Sequence, residues 1–225
     1  MQQIDTIIQN IVLVFHFTTL ILNVSSINMN ITIINGSLGG RTGNTNNLMQ
    51  KVRRIILKKG PGTKVRIIHL SPTFDWIKVR RAIKASDALI FCTGTYWDSW
   101  GSPMQLLFEK MTQIEGKKHL LGKPAGAIVT MHSVGGKEVC SRILGNLVGL
   151  GCMIPPFTGF AYAYSDHVAH KSRVSGKKLL DDVWHIDDLE AFIHNIFEAH
   201  AGTKNWKVWD YLDTQAMDPS YVWLK

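Results

Sequence analysis

The chain has 225 residues, of which 45% are hydrophobic and 19% charged, a composition typical of a folded globular protein rather than a disordered one. Its formal charge of +8 is compatible with a nucleic acid or a phosphorylated small molecule as partner. The basic residues are scattered and no nucleic-acid-binding motif accompanies them, so we interpret them as solvated helix faces and expect no nucleic-acid partner.

The first 28 residues precede the first predicted strand, and three interpretations of them stay open. Residues 7–24 are strongly apolar, but the positively charged start of a secretory signal is missing. Polar side chains such as Gln9 and His16 interrupt the run, which is unfavourable for a transmembrane helix. The segment is therefore interpreted as an extension upstream of a natural start at Met29, as a membrane anchor or as a secretory signal. We expect membrane association only through residues 1–28.

From Met29 onward, short apolar runs alternate with segments of helical periodicity. The predicted strands are 31–34, 64–70, 88–92, 125–130 and 152–154. The predicted helices are 44–58, 77–84, 103–114, 137–150 and 187–200. Strands this apolar, separated by helices, are typical of a parallel sheet that is buried on both faces. We therefore predict one doubly wound, three-layer α/β/α domain with a five-stranded parallel sheet over residues 29–200. An aromatic-rich tail, residues 201–225, is expected to pack on this core or on a partner subunit.

A Gly-rich loop follows the first predicted strand and leads into a helix. Glycines let backbone N–H groups converge, and the helix N-terminus adds partial positive charge, so the loop suits a phosphate. The spacing excludes the dinucleotide and triphosphate motifs, because Gly36 precedes Ser37-Leu38 and Gly43 precedes Asn44. A monophosphate held mainly by neutral donors remains, as does an ordinary polar turn with Asn44 or Thr45 as the N-cap of the helix. The candidate phosphate ligands are Ser37, Arg41, Asn44, Thr45 and Asn46.

Two further loops follow the third and fourth predicted strands, at the same edge of the sheet, where doubly wound sheets bind ligands. The first contains aromatic residues able to flank a flat ring, and the second is a Gly-rich turn with backbone N–H donors. The alternatives are aromatic packing on the next helix and a plain strand-to-helix turn. The candidate ring contacts in the first of these loops are Tyr96 and Trp97. One loop for a phosphate, one for a ring and one for its polar edge match the requirements of FMN.

These motifs, in residues 36–45, 87–104 and 123–136, resemble the NAD(P)H-dependent FMN reductase family, in particular its multimeric flavodoxin and quinone reductase branch. The resemblance covers residues 29–155 and implies a flavodoxin-like fold with bound FMN. It further implies NADPH or NADH as co-substrate, a quinone, flavin or similar small acceptor, and a homodimer or homotetramer. Two departures stand out: Gly39 replaces a frequent Arg and Thr95 a frequent Pro.

By the same resemblance Ser37, Asn44 and Thr45 would bind the FMN phosphate. Thr95, Tyr96 and Trp97 would contact the flavin ring, and Ser133, Val134 and Gly135 would lie near its polar edge. No side chain is assigned as a catalytic acid or base. The alternative function is a non-enzymatic flavodoxin-type electron carrier that docks to redox proteins. Such carriers are usually acidic, whereas this chain is basic. The sequence therefore favours an FMN-dependent NAD(P)H oxidoreductase.

The cysteines predict neither a metal site nor a disulfide framework. Cys92, Cys140 and Cys152 are far apart and form no C-x-x-C pair, which suits a reducing compartment, so we expect a cytoplasmic protein. The iron–sulfur branch of the family carries a cysteine cluster after its second strand, which this chain lacks. His167 and His170 have no further clustered ligands, so no metal is predicted.

Overall fold

A computed structural model describes residues 28–163 and 186–202 of the chain. The N-terminal segment 1–27, the stretch 164–185 with His167 and His170, and the tail 203–225 lie outside the described residues. The hypotheses about these three segments therefore stay predictions.

In the described part of the chain, five parallel strands form a single sheet, in the order β2-β1-β3-β4-β5. The strands are β1 Asn30–Asn35, β2 Lys64–His69, β3 Ala88–Gly94, β4 Ala125–Met131 and β5 Gly159–Ala163. This is the flavodoxin-like order, in which the direction of winding reverses between β1 and β3. The predicted fold class is confirmed.

Helices cover both faces of the sheet. They are α1 Asn44–Lys59, α2 Trp76–Ala85, α3 Ser102–Met111, α4 Gly136–Gly149 and α5 Leu189–Ala201, with short 3₁₀ turns at Thr112–Ile114 and Ile186–Asp188. Successive strand residues point to opposite faces, so Ile34 joins the core under α2, α3 and α4, whereas Ile33 joins the core under α1 and α5. Among the helices of the described ranges, none combines the length and the apolar content needed to cross a bilayer.

The fifth strand lies later in the chain than predicted, so the assignment of residues 152–154 is wrong. Met153 forms only an isolated bridge with Pro124. Two prolines follow it, and because proline has no N–H to donate, the ladder stops there. The chain then turns and pairs with β4 from Gly159 onward. The edge strand thus comes from a stretch for which no strand was predicted.

Candidate functional site

A pocket of about 530 Å³ opens at the carboxyl ends of β1, β3 and β4. Three loops meet there: loop A (residues 36–43), loop B (residues 95–101) and loop C (residues 132–135). The pocket also follows one face of α1 toward β5. Its lining consists of Ser37, Gly39, Gly43, Asn44, Thr45, Asn47, Leu48, Lys51, Arg54, Gly94, Thr95, Tyr96, Thr130, Met131, His132, Tyr162 and Ile186.

At the start of α1 the N–H of Asn46 bonds to the carbonyl of Gly43, whereas those of Asn44 and Thr45 have no acceptor among the described residues. Gly43 occupies the N-cap position and no side chain caps the helix, so neither Asn44 nor Thr45 is the N-cap. The first N–H groups of a helix have no intrahelical acceptor, and this end of the helix carries partial positive charge. Thr45 is fixed by a 2.7 Å hydrogen bond between its hydroxyl and that of Thr130 on β4. The arrangement is that of an anion site at a helix N-terminus.

Two buried hydroxyls at the pocket have no hydrogen-bond partner. Among the described side chains, Ser37 Oγ, Thr95 Oγ1 and His119 Nε2 are the buried polar atoms without one, and only His119 is absent from the pocket lining. Leaving such a group unpaired costs about 1–3 kcal/mol, so each calls for an explanation. A ligand with acceptor oxygens at loop A and polar atoms at loop B would give both hydroxyls a hydrogen-bond partner. The residues present therefore fit a phosphorylated ligand such as FMN.

Loop B forms a hydrogen bond to loop A and then makes a tight turn toward solvent. The Tyr96 hydroxyl accepts a 2.9 Å hydrogen bond from the N–H of Leu38. Paired backbone bonds of 2.8 and 3.0 Å between Tyr96 and Ser99 close a tight turn. Its central residues, Trp97 and Asp98, have φ of 50° and 55°, a left-handed conformation that is costly for a large side chain. The turn leaves the Trp97 side chain fully exposed, outside the pocket lining.

The structure brings some of the predicted site residues to the pocket and leaves others at its rim. Ser37, Asn44, Thr45, Thr95 and Tyr96 line it. The predicted residues that do not line it are Arg41, Asn46, Trp97, Ser133, Val134 and Gly135. The side chain of Asn46 instead donates a 2.7 Å hydrogen bond to the Arg41 carbonyl, within loop A and the start of α1.

Sequence analysis interpreted the basic residues as solvated helix faces and did not assign the basic face of α1 to the site. Asn47, Lys51 and Arg54 line the pocket, and no acidic residue does so among the described ones. They follow Asn44 at intervals of three or four residues, so helical periodicity alone places them on its face. Tyr162 was missed for a different reason, because β5 was assigned elsewhere. The additional cations make the pocket more favourable for an anion.

The three cysteines are buried and form no disulfide. Burial raises the pKa of Cys140 to about 12 and that of Cys152 to about 11, and it also raises the pKa of Cys92. In the described part of the chain, no group of three or more His, Cys, Asp or Glu side chains could hold a metal ion. The cysteines therefore belong to the two cores and not to the pocket.

The strand order defines a flavodoxin-like fold. At its switch point, the Gly-rich loop and the uncapped start of α1 border a pocket that fits a phosphorylated ligand. A profile of the NADPH-dependent FMN reductase family matches residues 29–165, more than half of the chain. The chain belongs to this family, and thus to the FMN-dependent oxidoreductases. No curated protein sequence matches it.

Solved structures share the fold at low sequence identity. RosB, solved with 8-demethyl-8-formylriboflavin-5'-phosphate bound, is 15% identical with a TM-score of 0.61, over 77% of this chain and 79% of RosB. An oxidoreductase from Corynebacterium diphtheriae is 15% identical with a TM-score of 0.59, over 80% of this chain and 100% of that one. FerB, an NAD(P)H:(acceptor) oxidoreductase from Paracoccus denitrificans, is 18% identical with a TM-score of 0.53, over 77% of this chain and 98% of FerB. These similarities confirm the flavodoxin-like fold.

Proposed function

We propose that the protein binds FMN in this pocket and uses it to pass electrons from NADPH or NADH to a quinone, a flavin or a similar small acceptor. The observation that carries the proposal is the pair of buried, unpaired hydroxyls of Ser37 and Thr95, beside the uncapped start of α1. FMN would supply the hydride chemistry, while the protein binds and orients it.

Ser37, Asn44 and Thr45 are the proposed phosphate ligands. The Ser37 hydroxyl can donate to a phosphate oxygen, and the backbone N–H groups of Asn44 and Thr45 lie at the positive end of α1. Arg41 and Asn46 are assigned a supporting role, since the Asn46 side chain bonds to the Arg41 carbonyl rather than lining the pocket. The phosphate is thus held chiefly by neutral donors.

Loops B and C would receive the flavin ring. Thr95 and Tyr96 line the pocket and are the proposed ring contacts. Trp97 and Val134 are exposed at its rim, together with Leu38 of loop A. In this arrangement Trp97 can cover a ring only from the outside, while residues 133–135 supply backbone donors near its polar edge.

The exposed apolar side chains of all three loops suit contact with a second subunit around the pocket mouth. We therefore propose a homodimer or homotetramer of domain 29–200, with the tail 201–225 packed on the core or on the partner. Cysteines without a disulfide, Cys92, Cys140 and Cys152, support a reducing, cytoplasmic location.

Steady-state kinetics of the FMN-loaded protein test this function. NADPH or NADH oxidation with a quinone acceptor is measured for the wild type and for Thr95→Val, which removes an unpaired hydroxyl at nearly constant volume. Thr112→Val, at an exposed site after α3, is the matched control. We expect FMN-dependent turnover that Thr95→Val lowers and Thr112→Val does not. Bound flavin that neither nucleotide reduces, and that only a redox protein reduces, would instead establish an electron carrier.

A further inference from the structure

The buried side-chain amide of Asn35, at the end of β1, forms hydrogen bonds to the backbone of loop A. We propose that Asn35 and His69 are a positioning pair that holds loop A in its ligand-binding shape before any ligand arrives. The inference rests on the proposed function, because the ligand of loop A is taken to be the FMN phosphate. Neither residue lines the pocket, so both act through the loop.

Asn35 bonds to both sides of the loop. Its side chain is 0% exposed. Its Oδ1 accepts a 3.0 Å hydrogen bond from the N–H of Ser37, and its Nδ2 donates a 2.9 Å hydrogen bond to the carbonyl of Gly40. One side chain thereby fixes the backbone of Ser37, which carries the unpaired hydroxyl, and the backbone of Gly40, whose φ of 50° is left-handed. These two hydrogen bonds therefore restrain the backbone of loop A at Ser37 and Gly40.

His69 completes the network from the neighbouring strand. It ends β2 directly beside Asn35 in the parallel register, and its Nδ1 lies 3.1 Å from Asn35 Nδ2. A primary amide nitrogen is only a donor, so this ring nitrogen must be the unprotonated acceptor. The opposite amide orientation would set two donors face to face at Ser37 and two acceptors at Gly40. The network therefore admits one orientation of the Asn35 amide.

The protonation state of His69 agrees with this role. Burial lowers the pKa of the His69 imidazole, and the nearby Arg41 guanidinium lowers it further. A hydrogen bond between the ring and the Gly40 backbone raises this pKa and only partly offsets the two lowering effects. The ring is therefore favoured in its neutral form, which alone offers an acceptor nitrogen to Asn35. A loop ordered in advance spares the ligand the entropic cost of ordering it, so the pair should raise phosphate affinity without touching phosphate.

The test compares two ligands that differ only in the phosphate. The ligand-free, full-length protein is titrated with FMN and with riboflavin, each followed by flavin fluorescence. Asn35→Ala and His69→Ala should raise the Kd for FMN about tenfold, as expected for the loss of a loop-ordering hydrogen bond. The Kd for riboflavin should stay within about twofold of wild type, because loops B and C are untouched.

Two further variants make the test specific. His69→Asn places an amide oxygen near the position of Nδ1, so it should restore most of the FMN affinity that His69→Ala loses. Asn30→Ala removes the same residue type at the opposite end of β1, where its side chain bonds to Asp87 at 3.2 Å. It should leave the ratio of the two dissociation constants at the wild-type value.

The outcomes separate this inference from the proposed function. The positioning pair is refuted if Asn35→Ala and His69→Ala keep the wild-type ratio, or if they raise both dissociation constants equally. His69→Asn behaving like His69→Ala would refute the acceptor role of His69. The His69 variants provide the answer even if Asn35→Ala does not fold, since His69 is only partly buried on an edge strand. Wild-type protein that binds neither flavin would overturn the proposed function itself.

Discussion

Replacing Ser37 by alanine should stabilise the ligand-free protein and weaken FMN binding. Ser37 is 2% exposed and its hydroxyl has no partner. An unsatisfied buried hydroxyl costs about 1–3 kcal/mol, and after the small loss of packing we expect the free energy of unfolding to rise by about 1 kcal/mol. A hydrogen bond to a charged group contributes about 1.5–3 kcal/mol, so the Kd for FMN should rise about 10- to 150-fold.

Urea unfolding of the ligand-free protein measures the first effect, and a fluorescence titration with FMN measures the second. Ser141→Ala is the control, because this exposed serine on α4 bonds only to the carbonyl of Glu138, at 2.8 Å. It should change both quantities little. A Ser37→Ala protein that is less stable than wild type but binds FMN equally well would refute the role given to this hydroxyl.

Four further perturbations test the packing and helix capping of the fold. Gly36→Ala should destabilise by about 1–3 kcal/mol in urea unfolding, since a Cβ there would lie 2.6 Å from Met104 Cβ. Gly145→Ala, in open space on α4, should instead stabilise by about 1 kcal/mol. The cysteine thiols should not react with a disulfide reagent at pH 8 until the protein is unfolded, because burial raises their pKa values. Asp75 caps α2 by accepting from the N–H of Lys78, which lowers its pKa from 3.8. The ionised Asp75 side chain therefore stabilises the fold at neutral pH, and this stabilisation is lost as the pH falls through the lowered pKa. The difference in Tm between the wild type and Asp75→Ala should accordingly vanish in acid.

Loop A and the sheet around it were predictable because their signals are local. An apolar run, a Gly-rich stretch and a helical period follow one another directly between Ile31 and Lys58. The edge strand β5 was not predictable in the same way. The apolar residues at 152–154 satisfy the strand pattern, and only the pairing of Gly159 with Ala127 shows where the ladder resumes.

The sequence predicted which loops form the site, but not every side chain that lines the pocket. Tyr96 and Trp97 are adjacent in sequence, yet the left-handed turn sends Trp97 outward while Tyr96 lines the pocket. The contact between Asn35 and His69 depends on the register of β1 against β2, which no motif encodes. Long-range register and turn handedness are tertiary properties, and for that reason sequence patterns missed them.

The absorption spectrum of the purified protein, taken after FMN loading and desalting and then after anaerobic addition of NADPH or NADH, tests the central claim most directly. FMN should remain bound through desalting, and its visible absorption band should bleach when the reduced nucleotide is added. A colourless protein that does not retain added FMN would contradict the assignment of this pocket as an FMN site.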